Sequence, residues 1–180
     1  MKGWETSVKD EKIMNRITID VSFLKLFASD IDVFLNILLR FVQDNPYKIC
    51  LDSDGKGAEI YCNLARENDN VMLWWKFMEK NNFSCIDRII LKDAKNCNAE
   101  NLFLYIASEA YPCRRLLVSS KNILHSLHAT LIESRSITLI DKDEARNLLN
   151  QSVTIYQSSM GDHSPNIIGN SNNIKYVSSG

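Results

Sequence analysis

Net charge is nearly absent from this chain. Its 21 lysines and arginines face 22 aspartates and glutamates over 180 residues, giving a formal charge of -1. With no global positive field, nucleic acid would have to be held by a local patch. Short cysteine pairs are also missing. Cys50, Cys62, Cys85, Cys97 and Cys113 are odd in number and widely spaced, with no CxxC. A zinc cluster needs ligands in close pairs, so the pattern gives no metal signal and predicts reduced, buried thiols in a cytosolic protein. No stretch reaches the ~20 apolar residues of a membrane span. The greasiest segment, Val33 to Val42, is interrupted by Asn36 and Arg40. Met1 to Arg16 is polar and mixed in charge, without the apolar core of a signal peptide, so the expectation is a cytoplasmic chain with no membrane contact. The phosphate-cradling GxxxxGK[ST], the dinucleotide GxGxxG and the nucleophile elbow GxSxG are all absent.

What is present is a globular composition, 45% hydrophobic and 24% charged, in a length that suits one domain. Residues 1–15 read as a lead-in, 16–156 as the domain and 157–180 as a Gly/Asn/Ser-rich tail. Strands are predicted at 17–21, 48–51, 88–91, 116–118 and 136–140, each short and apolar. Helices are predicted from a Ser29-Asp30 cap to about 43, then over 57–66, 71–80, 101–110, 123–131 and 144–150. Short strands alternating with helices predict a three-layer α/β/α fold with a mainly parallel sheet, whose ligand edge is the one carrying the strand C-termini. In the tail, Ile167, Ile168, Ile174, Tyr176 and Val177 could form one or two short strands against the domain or a partner.

Three acids stand where chemistry could use them. Asp20 ends the first strand and reads either as a metal ligand or as a helix-starting carboxylate. Glu59 and Glu100 lie near helix starts, where a first-turn carboxylate suits the helix dipole without further function. Asp52-Ser53-Asp54-Gly55 reads as a polar turn rather than a calcium loop, because Lys56 and Asn63 replace ligands that such a loop needs. His125 and His128 are spaced to share a helix face but lack a companion acid or thiol. Of the neighbours Trp74 and Trp75, about 100° apart on a helix, one is expected in the core and the other partly exposed. Both together are the less favoured alternative, a stacking surface.

In combination, ITIDVS (17–22), ICLDSDGKGAEIYCNL (49–64), AENLFLYIASEA (99–110) and RLLVSSKN (115–122) resemble, in that order, the segments of PIN-like nuclease domains over about residues 16–150. The resemblance implies a metal-dependent nuclease, RNA-directed, with Asp20, Glu59 and Glu100 as catalytic acids holding Mg²⁺ or Mn²⁺, the ion activating water. Lys121, Arg115 and Ser119 would then contact substrate, RNA or single-stranded nucleic acid. Arg114 reads instead as ordinary solvated charge. Where the family has a fourth acid, Ser119 and Ser120 stand, and a hydroxyl adds no charge. The tail GDHSPNIIGNSNNI (161–174) resembles those of bacterial conflict and defence proteins, implying a toxin or effector that docks a protein partner, or itself, through residues 157–180. The alternative is a non-catalytic PIN-like interaction module using that tail and the surface aromatics.

Overall fold

A computed structural model of the chain describes residues 16–38, 47–81, 83–92 and 97–151, and two short strands at 166–168 and 175–177. Five parallel strands form one sheet: β1 (Arg16–Ile19), β2 (Lys48–Asp52), β3 (Ile86–Ile89), β4 (Arg115–Leu117) and β5 (Thr138–Ile140). Their spatial order is β3-β2-β1-β4-β5. Helices α1 (Val21–Ser29), α2 (Ile31–Val33, running into a π-helical turn at Phe34–Leu38), α3 (Lys56–Glu67), α4 (Asp69–Lys80), α5 (Leu102–Glu109), α6 (Lys121–Ser134) and α7 (Lys142–Gln151) complete the α/β/α layers. The expected parallel α/β architecture is the observed one.

The strands form here because their side chains have nowhere else to go. Ile17, Ile19, Ile49, Leu51, Leu116 and Leu117 are all fully buried, each stabilising the fold by about 1.5–3 kcal/mol relative to exposure. β1 is the central strand. It pairs with β2 through Ile17 and Ile49, and with β4 through Ile19 and Leu117. Chain order reverses between β1 and β4, and that is where an open parallel sheet has its crevice.

An aromatic cluster secures α3, α4 and α5. Tyr61 stacks on Phe103 with ring centroids 5.0 Å apart and meets Trp74 edge-on at 5.7 Å. Trp74 is fully buried and Trp75 is 7% exposed, so both belong to the core. This corrects the expectation of one exposed tryptophan, and it removes the pair as a contact surface. Asn68 starts α4 by accepting from the amides of Asn70 and Val71.

Further differences are local. α1 was not expected. The helix expected from Asp30 does begin there, with Asp30 accepting from the amides of Asp32 and Val33, but it passes into the π-helical turn, and residues 39–46 lie outside the described set. β6 (Asn166–Ile168) and β7 (Lys175–Val177) pair antiparallel, as the tail pattern suggested. The lead-in and the remainder of the tail lie outside the described residues. Among the described residues no helix is long and apolar enough to cross a membrane, and none of the five cysteines is in a disulfide.

Candidate functional site

Three strands end in an aspartate, or are followed at once by one, along the C-terminal edge. Asp52 closes β2, Asp20 follows β1 and Asp141 follows β5. Each turns the chain into a helix by accepting from backbone N–H groups that a helix start leaves without partners. Asp52 accepts from the Lys56 and Gly57 amides at 2.9 and 2.7 Å. Asp20 accepts from Ser22 at 2.8 Å, and Asp141 from Asp143 and Glu144 at 3.1 and 3.0 Å. Glu144 returns a carboxylate oxygen to the Asp141 amide, completing a reciprocal cap.

Asp20 and Ser119 are brought to the β1/β4 crevice, and Lys121 opens α6 two residues on. The Ser22 hydroxyl links two of them, accepting from the Ser119 amide at 3.2 Å while the Ser22 amide donates to Asp20. Asp20 is half-buried and pairs with no lysine or arginine among the described residues. Its charge reaches the buried Tyr61, whose phenol is pushed well above its usual range, first by burial and then by Asp20. The Tyr61 hydroxyl donates to the Ile19 carbonyl, one residue before Asp20. Lys121 is already engaged by Asp141, at 3.8 Å, and by Glu144.

Glu59 and Glu100 lie on neighbouring segments, α3 and the 97–102 turn. Glu59 is exposed in the first turn of α3 and lines a cavity of about 220 Å³ with Lys56 and the turn at 97–102. Glu100 is exposed in that turn, its amide donating to the Asn98 side chain at 3.1 Å. Neither makes an ion pair among the described residues. Among the described residues, no three His, Cys, Asp or Glu side chains are gathered so as to hold a metal ion.

Two cations lie elsewhere than expected. Arg115 opens β4, pairs across to Thr138 and interacts electrostatically with Tyr47, so it sits at the N-terminal edge. Arg114 is half-buried rather than solvated, donating to the Arg135 carbonyl at 2.7 Å and lying over the Tyr111 ring. His125 and His128 do not share a regular face, because α6 is broken at His128 (φ -135°, ψ 26°) and His125 pairs with Glu133 at 3.5 Å. Sequence reasoning missed Asp52 and Asp141. A carboxylate closing an apolar run a few residues before a helix pattern was the signal for both. No family model, no curated protein and no solved structure matches the chain significantly.

Proposed function

We propose that the chain is a PIN-like, RNA-directed domain that binds Mg²⁺ or Mn²⁺ and a phosphodiester strand at its C-terminal edge, with Asp20 as the anchoring acid. The observation that carries this reading is the β3-β2-β1-β4-β5 order, which sets Asp20, without a cationic partner among the described residues, at the reversal point of an all-parallel sheet. Asp20 spends one oxygen as a helix cap and keeps the other for a ligand. Glu59 and Glu100, also without cationic partners among the described residues, are the expected companion acids. The ion, when bound, would supply charge neutralisation at phosphate and a more acidic water. The chain's own residues orient and cap. The test is calorimetric titration of Mn²⁺ into wild type and Asp20→Asn, paired with cleavage of single-stranded RNA. Saturable binding and cleavage, both lost in Asp20→Asn, are the expected result. A wild type that binds no ion overturns the enzyme reading.

A second reading is a non-catalytic module that docks a protein. It is favoured by Ser119 in place of a fourth acid and by Ile123 and Leu127, 65% and 69% exposed on α6. In that case Mn²⁺ leaves no trace, and removal of residues 157–180 abolishes an association visible by sedimentation.

A further inference from the structure

We propose that the cavity between the first turn of α3 and the 97–102 turn is a nucleobase subsite that accepts an unpaired guanine. This rests on the reading of an RNA-directed chain and deepens it. The cavity holds about 220 Å³. That is below the ~300 Å³ at which drug-sized pockets begin, so it suits one planar ring system. Its walls are apolar: Ile60, Leu102 and the Cys97 thiol, which burial pushes upward and thereby keeps neutral.

The polar groups are few and uncommitted. Lys56 and Glu59 stand exposed at the rim, neither in an ion pair among the described residues. The Asn98 side-chain oxygen accepts from the amides of Glu100 and Asn101, each at 3.1 Å. Two backbone donors on one atom fix that atom as the oxygen, so the Asn98 amide nitrogen remains as a donor at the cavity. The site therefore presents two donors and one carboxylate acceptor around an apolar slot.

Guanine meets that set most fully. Its O6 and N7 accept from a lysine, and its adjacent N1–H and N2–H₂ both donate to a carboxylate. Adenine would turn the bare N1 lone pair towards a carboxylate. A pyrimidine leaves part of the slot empty. In the absence of an ion, the Glu59 carboxylate is thereby the base-reading acceptor of the slot.

The experiment is calorimetric titration of the full chain with GMP, AMP, CMP and UMP in EDTA. GMP should bind at least ~5-fold more tightly than AMP, the discrimination of one good bidentate contact. Glu59→Gln should erase the preference for GMP, and Ala99→Leu, at an exposed position lining the cavity, should weaken every nucleotide. Both variants should keep the wild-type unfolding midpoint. Equal binding of all four nucleotides, no binding of GMP, or GMP binding untouched by either variant overturns the subsite. Omitting metal separates the two readings: GMP binding without Mn²⁺ binding keeps the subsite and discards hydrolysis, and the reverse discards the subsite.

Discussion

Asp52 is the clearest case of a side chain whose role the sequence pattern concealed. It is 1% exposed and accepts from the Lys56 and Gly57 amides, so its charge is buried against two donors that would otherwise have no partner. The preceding turn needs Gly55, which has φ +84°, and the cap needs Gly57, where a Cβ would stand 3.0 Å from the Asp52 carboxylate. Asp52→Ala should therefore lower stability by about 1–2 kcal/mol in urea unfolding. An unchanged midpoint would remove the cap from the account. The motif DSDGKG was legible as a turn, but composition does not show which carboxylate turns inward. Trp74 and Trp75 were misjudged for a similar reason. A 100° step separates two side chains on a helix surface, yet α4 is covered widely enough by Tyr61 and Phe83 to bury both. Arg115 was misplaced because β4 starts one residue earlier than its apolar run.

At the level of elements, the strands were legible because each is a short β-branched or leucine-rich run with no amphipathic alternative. α1 was not. VSFLKLFAS is apolar on most sides, so no polar face marks it as a helix, even though Asp20 before it suits a helix start. One physical consequence of the packing between β1, β2 and α3 can be measured. Burial pushes the Cys50 thiol on β2 from 9.0 to about 12, and the Tyr61 phenol on α3 also rises well above 10.0. Both groups hold their proton in the folded state and lose it earlier in the unfolded one. Their contribution is complete below about pH 9 and is lost as pH climbs towards 12. The urea midpoint should thus fall steadily above pH 9, and Cys50→Ala should be less stable at neutral pH yet show a shallower decline. A wild-type midpoint flat from pH 8 to about 11 would mean these groups are not buried as described.

For the whole molecule, the near-zero charge seen first in the sequence returns as a constraint on binding. The edge that the fold nominates carries Asp20, Asp52 and Asp141, and Lys121, at the start of α6, is held by Asp141 and Glu144. Arg115 is at the far edge. Among the described residues, Lys56 beside the cavity and Arg88, which donates to the Asp52 carbonyl, are the cations at this edge outside ion pairs. An RNA strand bound at this edge should be held by base contacts and by an added divalent ion more than by counterion release. Taking about two phosphate contacts, the plot of log K against log salt should slope near -1.4. That is shallow for a nucleic-acid binder, and it separates the proposed edge from any basic surface elsewhere on the chain. A slope steeper than about -3 would require more phosphate contacts than this edge offers, and it would move the RNA away from Asp20 altogether.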